Sequence, residues 1–223
     1  MLEPAVREWV AARNMLRSYP RFWERGFRES VRLAHAAQGR GAMQKLRELA
    51  PLIALLRRRR LSVIVEIGTA RGGTFYAWCQ IAQPDALLVS IDLPGGPYGG
   101  GYPEDALETL RSYGKAGQQL HFLRADSQAA STVAELRALL AGRTIDFLII
   151  DGDHTYDGVK RDFELYSPLV GEGCPIAFHD IVPHPPEQRC EVDWFWNEIK
   201  HGYTHAELVD PGAPYGGVGV LWK

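Results

Sequence analysis

Carboxylates and imidazoles follow the ends of two apolar runs in this chain. Asp151 and His154 come directly after the run 147–150, and Asp180 comes shortly after the run 174–178. Carboxylate oxygens bind hard divalent cations, and an imidazole can accept a proton near neutral pH. These residues are therefore candidates for acid–base chemistry and for a cation site.

Two assignments are open for this cluster. His154 is the candidate general base, with Asp151 grouped beside it as a catalytic residue, and the alternative is a histidine that caps or orients a turn. Asp151 and Asp180 are candidate ligands of Mg²⁺, with water completing the coordination, and they are alternatively structural.

A glycine-rich turn in the stretch 61–74 separates an apolar, β-branched run from a helical pattern. Glycines let a ligand approach the backbone, and a helix N-terminus offers unpaired N–H groups. A dinucleotide fingerprint requires Gly-x-Gly-x-x-Gly, and Ala70 replaces its second glycine, which argues against a pyrophosphate ligand. Glu66, just before the turn, either contacts a cofactor or orients the turn backbone. The turn adds these candidate cofactor contacts: Gly68, Thr69, Gly72 and Thr74.

An acidic residue lies at or shortly after the carboxyl end of every predicted strand of the central region. Ligands of open α/β sheets bind at the carboxyl ends of the strands, so these acids are expected at one site. Asp92 ends the second strand and is placed to accept hydrogen bonds from a ribose diol, a role that would also serve NAD. An acid-lined pocket favours a cofactor with a positively charged centre.

The elements that must position these residues alternate between strand and helix. This alternation predicts an α/β fold with a parallel sheet and helices on both faces. A short turn near the C-terminus predicts an antiparallel pair, and the loop 93–103 is interpreted as a lid at the carboxyl edge of the sheet. Strands are predicted at 62–67, 86–91, 119–123, 145–150, 174–178, 205–209 and 217–222.

Residues 1–60 are predicted to form a helical extension or cap, followed by the main domain at 61–223. The extension holds 14 Lys and Arg against 5 Asp and Glu, although the whole chain has a net charge of only −2. No nucleic-acid recognition motif accompanies this charge, so we expect no nucleic-acid partner. The basic extension is expected to pack on the acidic domain, either within one chain or between chains of a homo-oligomer. The front portion of the extension is expected either to cover the active site or to form an oligomer contact.

Composition places the chain among cytoplasmic globular proteins. Hydrophobic residues make up 46% of its 223 residues, enough for a substantial core. No window approaches about 18 consecutive apolar residues, and the N-terminus lacks the apolar core of a signal peptide, so no membrane partner is expected. The three cysteines form no Cys-x-x-Cys pair, which favours reduced thiols over a zinc site or disulfides.

On the basis of these residues and their spacing, the chain resembles class I S-adenosylmethionine-dependent methyltransferases. The stretch 66–74 is similar to their first motif and Ser90-Ile91-Asp92 to their second. The resemblance covers about residues 60 to 222. Three further segments resemble the branch that contains cephalosporin-hydroxylase-like proteins and macrolide and rhamnosyl sugar O-methyltransferases: 147–156, 177–181 and 195–200.

The resemblance implies a doubly wound, mostly parallel seven-stranded sheet with an antiparallel last strand. It implies S-adenosylmethionine as the cofactor, with Asp92 on the ribose and with Asp126 and Ser127 near the adenine. The implied reaction is O-methylation of a hydroxyl group on a small molecule, a sugar or a natural product. His154 matches the proposed base of the macrolide-sugar enzymes.

One position departs from the family. Metal-dependent relatives use acids at the positions of Asp151 and Asp180, often with Asp or Asn directly after the second. Here Ile181 stands at that place, so the third ligand is open among Asp153, His179 and water. Two alternative functions remain: a protein that binds S-adenosylmethionine without methyl transfer, and an NAD-dependent oxidoreductase, which the alanine in the glycine turn disfavours.

Overall fold

Seven strands form one sheet in the computed structural model, which describes residues 26–97 and 100–223. The front of the predicted extension, residues 1–25, lies outside the described residues, as do residues 98 and 99 of the predicted lid. The strands are β1 (Val63–Ile67), β2 (Leu87–Ile91), β3 (Gln119–Leu123), β4 (Phe147–Ile150), β5 (Pro175–Val182), β6 (Thr204–Leu208) and β7 (Gly216–Trp222).

The strand order is β3–β2–β1–β4–β5–β7–β6. Strands β1 to β5 pair in parallel, and β7 lies antiparallel to both of its neighbours, β5 and β6. The order reverses between β1 and β4, where the chain switches from one half of the sheet to the other. This topology confirms the predicted fold class, including the antiparallel last strand.

Helices cover both faces of the sheet. Among the described residues they are α1 (Phe27–Gln38), α2 (Leu46–Leu56), α3 (Gly73–Ile81), α4 (Leu107–Arg111), α5 (Ala130–Leu140), α6 (Tyr156–Tyr166) and α7 (Val192–Ile199). None of these helices has the length and apolarity that a bilayer crossing requires.

The alternation of side chains along β1 divides the core into two clusters. Ile64 joins the cluster beneath α1, α2 and α3. Val63, Val65 and Ile67 join the opposite cluster, beneath α5, α6 and α7. A strand covered on both faces is expected to be almost continuously apolar, and all five residues of β1 are buried. Glu66 is the single charged residue in the strand.

The strand β5 extends beyond its predicted end. Its pairing with β7 continues to Val182, and the register shifts between His179 and Val182. His179 and Asp180 were expected just after the strand, and instead they lie within it. Asp180 has a left-handed backbone, with φ at 65°. A bulge of this kind redirects side chains, and here it occurs where the chemistry is expected.

The helices α1 and α2 share a hydrophobic core with the sheet. Leu49 and Ile53 of α2 are fully buried in the same cluster as Val218 of β7. Arg57 follows the end of α2 and forms an ion pair with Glu29 of α1. The described part of the extension therefore packs directly on the sheet.

Candidate functional site

A cavity of about 580 Å³ lies at the carboxyl edge of the sheet. Every parallel strand contributes to its wall, because the residues at the strand ends meet at this edge. Seven of the residues predicted for the site line the cavity: Gly68, Asp92, Asp126, Ser127, Asp151, His154 and Asp180.

The glycine turn brings backbone, rather than side chains, to the cavity wall. Gly68 has φ at 83°, and a Cβ atom there would lie 1.8 Å from the carbonyl oxygen of Asp151. Only glycine allows β1 and β4 to approach so closely at this edge. Ala70 also has a left-handed backbone, with φ at 48°.

Asp92 fixes the conformation of this turn. Its Oδ2 accepts hydrogen bonds from the backbone N–H groups of Thr69, at 2.9 Å, and Ala70, at 2.5 Å. Burial raises the pKa of Asp92, and these N–H donors oppose the shift. The carboxylate thus links the ends of β1 and β2 and also faces the cavity.

Asp126 and Ser127 occupy the wall after β3. The Ser127 hydroxyl donates to Asp162 Oδ1 at 2.7 Å, and the Tyr166 hydroxyl donates to the Ser127 carbonyl at 2.6 Å. Both partners belong to α6, so this helix fixes the position of the loop. Burial raises the pKa of Asp162 to about 7.

Four of the predicted cofactor residues do not line the cavity. The Glu66 carboxylate points to the opposite face of the turn, where Oε1 accepts a hydrogen bond from Trp78 Nε1 at 2.7 Å. Burial raises the pKa of Glu66 to about 7. The other three are Thr69, Gly72 and Thr74. Thr69 forms hydrogen bonds with Asp92 and Ser90, and Gly72 and Thr74 lie at the start of α3.

Two carboxylates flank His154, and His179 contacts both of them. Its Nε2 lies 3.5 Å from Asp151 Oδ1, and its Nδ1 lies 3.4 Å from Asp180 Oδ2. His179 Nδ1 lies 3.3 Å from both of those oxygen atoms. These four residues come from two separate segments, 151–154 and 179–180, and the sheet edge brings the segments into one cluster.

The charges in this cluster shift each other's pKa. Burial alone would lower the pKa of His154, but hydrogen bonds with Asp151 and Cys190 and the charges of Asp151 and Asp180 raise it to about 10. For His179, burial is likewise outweighed by the charge of Asp151, so its pKa lies well above the usual value. Burial opposes ionisation of Asp151 and Asp180, and the imidazoles nevertheless hold both carboxyl pKa values below their usual value.

Sequence reasoning missed the contribution of the loop between α1 and α2. Gln44 Nε2 donates to Asp151 Oδ2 at 2.7 Å, and Met43 and Lys45 line the cavity. Glu48, at the start of α2, is fully buried and accepts a hydrogen bond from Gly217 N at 3.0 Å. Cys190 also lines the cavity. The one signal for this contribution in the sequence was Glu48, an acidic residue in a largely apolar helical stretch.

The sheet order, the glycine turn after β1 and the cavity at the carboxyl edge define the Rossmann-like fold of class I methyltransferases. A family model described as a methyltransferase domain matches residues 65–181, more than half of the chain. The protein belongs to this methyltransferase family.

Solved structures share the fold at low sequence identity. The O-methyltransferase TomG of Streptomyces achromogenes, which is involved in tomaymycin synthesis and was solved with SAM, is 19% identical, with a TM-score of 0.54 over 90% of both chains. The N-methyltransferase NodS of Bradyrhizobium japonicum is 11% identical, with a TM-score of 0.53 over 77% of this chain and 92% of NodS. The fold therefore accommodates both oxygen and nitrogen acceptors.

Two curated relatives match part of the chain. The uncharacterized protein y4gI of Sinorhizobium fredii is 28% identical over 152 residues, which are 66% of this chain and 16% of that protein. An uncharacterized protein of Acanthamoeba polyphaga mimivirus is 31% identical over 116 residues, 52% of this chain and 50% of that protein. The chain thus spans half or less of the length of these relatives.

Proposed function

We propose that this protein transfers a methyl group from S-adenosylmethionine to a hydroxyl group of a small molecule, a sugar or a natural product. The observation that carries the proposal is that one cavity holds both the turn fixed by Asp92 and the cluster around His154. The first is suited to a nucleoside, and the second to proton transfer.

The wall of the cavity suits this cofactor. Asp92 offers carboxylate oxygen to a ribose diol, and Asp126 and Ser127 lie at the neighbouring strand end, where an adenine would be expected. Acidic side chains line the cavity and favour a cationic sulfonium over a pyrophosphate. When bound, S-adenosylmethionine supplies an electrophilic methyl group.

His154 is proposed to accept the proton of the acceptor hydroxyl, and Asp151 to orient the imidazole and stabilise its charged form. The pKa of about 10 means that His154 carries a proton at neutral pH in the ligand-free protein. A base role therefore requires that the positive charge of the bound sulfonium or of a cation lowers this pKa.

The residues around Asp151 and Asp180 do not fit Mg²⁺ well. Magnesium prefers six oxygen ligands, including several waters. Here two imidazoles lie within 3.5 Å of the carboxylates, and the residue directly after Asp180 is Ile181 rather than Asp or Asn. The proposed proton transfer uses no magnesium ion.

Isothermal titration calorimetry tests the cofactor. S-adenosylmethionine and S-adenosylhomocysteine are expected to bind, and Asp92→Ala is expected to weaken both by tenfold or more, because the turn loses the acceptor of two N–H groups. Binding of NAD alone would contradict the proposal and favour an oxidoreductase.

A methyl-transfer screen against a mixed library of hydroxyl compounds tests the reaction. The His154→Ala variant is expected to lose at least a hundredfold in rate on the acceptor that is found, in line with general-base catalysis. The matched control is His201→Ala, since His201 is exposed. Full activity of His154→Ala would exclude it as the base. Cofactor binding without any methyl transfer would favour a binding protein.

A further inference from the structure

Asp162 of α6 is a buried acid that the proposed methyl transfer does not use. Its side chain is fully buried, and it lies behind the part of the cavity wall that Ser127 and Gly152 form. A Cβ atom at Gly152 would lie 3.6 Å from Asp162 Oδ2, so little separates the carboxyl group from the cavity. Asp162 can therefore act on the site through the residues in front of it.

The hydroxyl group of Ser127 connects Asp162 to the cavity. That hydroxyl donates its one hydrogen to Asp162 Oδ1 at 2.7 Å. A hydroxyl also has two lone pairs, so Ser127 Oγ can then only accept a hydrogen bond from a ligand. We propose that Asp162 is a positioning residue that acts through Ser127 and makes the wall favour adenine over a purine with an oxygen in place of the amino group. The proposed function is a premise here, because a nucleoside cofactor must occupy the cavity.

Three further donors near Ser127 are committed within the protein. The backbone N–H of Gln128 donates to Asp126 Oδ1 at 2.8 Å, and the side-chain amide of Gln128 donates to the carbonyl of Gly158 at 3.4 Å. The N–H of Ala129 donates to the carbonyl of Asp126 at 3.2 Å. The carboxylate of Asp126 and the hydroxyl oxygen of Ser127 keep lone pairs for a ligand. This part of the wall therefore matches a ligand group that donates, such as the amino group of adenine.

Anchoring of the loop does not explain a carboxyl group at position 162. The Tyr166 hydroxyl also holds this loop, because it donates to the Ser127 carbonyl at 2.6 Å. Asp162 Oδ2 is buried without a hydrogen-bond partner among the described residues, and such a group lowers the stability of the fold. An apolar side chain would avoid this loss. The effect of the carboxyl group on the Ser127 hydroxyl is therefore the better explanation for Asp162.

The charge of Asp162 changes with pH near neutrality. Burial raises its pKa to about 7, the hydrogen bond from Ser127 opposes this shift, and the charges of Asp153 and Asp126 add to it. Tyr166, its titratable neighbour on α6, stays protonated because burial raises the pKa of the phenol as well. The ionised carboxylate can only accept from Ser127, whereas the protonated group can donate to Ser127 and free the serine hydrogen for a ligand. The preference for adenine should therefore be strongest above this pKa.

Isothermal titration calorimetry with two matched ligands tests the proposal. The ligands are S-adenosylhomocysteine and S-inosylhomocysteine, which carry an amino group and an oxygen, respectively, at the same position of the purine. We expect the wild-type protein to prefer S-adenosylhomocysteine by about 10- to 100-fold at pH 8, as one well-recognised base edge does. At pH 6 the preference should fall several-fold. Other titrating groups of the cavity affect both ligands alike, so the ratio of the two affinities isolates the base.

Three variants separate selection of the base from anchoring of the loop. Asp162→Leu removes the acceptor of the Ser127 hydrogen, and it should lower the preference at pH 8 by about tenfold and abolish its dependence on pH. Ser127→Ala should lower the preference to a similar extent. Tyr166→Phe is the matched control, because it removes the other hydrogen bond to Ser127 and leaves the serine hydroxyl in place. It should weaken both ligands by the same factor and leave their ratio unchanged.

Equal binding of the two ligands by the wild-type protein, or an unchanged ratio in Asp162→Leu, would overturn the proposal. A ratio that changes in Tyr166→Phe as much as in Asp162→Leu would also overturn it, since anchoring alone would then account for the effect. If Asp162→Leu does not fold, Ser127→Ala and the wild-type pH profile decide, and a ratio that neither of them changes would refute the role of Asp162. These outcomes leave the proposed function intact, whereas failure of S-adenosylhomocysteine to bind would refute the proposed function and the role of Asp162 with it.

Discussion

Glu66 shows how a residue that lies in a stretch similar to a family motif can serve the fold rather than the cavity. From the sequence it was a candidate cofactor contact or a residue that orients the turn. Its carboxyl is fully buried beneath the turn, where it accepts the indole N–H of Trp78 in α3. The contact joins β1 to the first helix after the turn.

The stability of the protein should depend on the protonation of Glu66. Its pKa is about 7 in the folded protein against 4.5 for the free side chain, so the folded state keeps a proton that the unfolded state has lost between these pH values. Stability should therefore fall as pH rises through this window. The shift corresponds to about 3 kcal/mol, given about 1.4 kcal/mol per pKa unit.

The variant Glu66→Gln removes this dependence and keeps an acceptor for the Trp78 N–H. Urea unfolding from pH 4.5 to 8 should show the variant gaining stability relative to the wild type as pH rises. Asp162, whose pKa is also about 7, titrates in both proteins and cancels in the difference. A difference between the two proteins that does not change with pH would contradict the assignment.

The residues of the chemical cluster were predictable, but their supports were not. Asp151, His154 and Asp180 could be chosen because residue type and strand ends point to them. Gln44 lies 107 positions before Asp151, its hydrogen-bond partner, so no local pattern could connect the two. Long-range contacts of this kind exist only after the chain folds.

At the scale of elements, the close approach of β1 and β4 depends on the glycine turn. A side chain at Gly68 would collide with the carbonyl of Asp151, whereas Gly142, with a similar φ of 85°, has no atom within 4 Å of its Cβ position. These two glycines separate the cost of backbone strain from the cost of collision.

Substitution by alanine at each glycine should therefore give different losses. Gly142→Ala should lower the free energy of unfolding by about 1–2 kcal/mol, the cost of a left-handed backbone. Gly68→Ala should lose clearly more and should also weaken binding of S-adenosylmethionine. Chemical denaturation and calorimetry on both variants provide the check, and equal losses would show that the collision is relieved at no cost.

The strand β5 was the element whose end was least predictable. Its apolar pattern stops before His179, yet pairing with β7 continues to Val182. Because β7 comes from the distant C-terminal hairpin, the sequence around His179 carries no record of this partner. The bulge that results gives Asp180 its unusual backbone.

At the scale of the whole molecule, the described helices of the extension are part of the main core. Phe27 and Leu49 lie in one cluster with Phe75 and Phe147. The loop between α1 and α2 also contributes Gln44 and Lys45 to the site. Stability of these helices and integrity of the cavity should therefore change together.

The variant Leu49→Ala tests this coupling. Truncation of a fully buried leucine should cost about 2–5 kcal/mol. Far-ultraviolet circular dichroism and tryptophan fluorescence should report one shared transition at a lower denaturant concentration. Leu33→Ala, at a half-buried position in α1, is the milder control. An early transition of helical signal alone would show that the extension unfolds independently.

The sequence by itself determined the class of fold, the edge of the sheet where the cavity lies, and seven of the residues that line it. These follow from local periodicity and from residue types at strand ends, because parallel strands place their carboxyl ends together. The tertiary structure decided which atoms face one another. It turned Glu66 away from the cavity, placed His179 between two carboxylates, and brought Gln44 and Glu48 behind them. Such contacts depend on packing between distant segments, which no local pattern encodes.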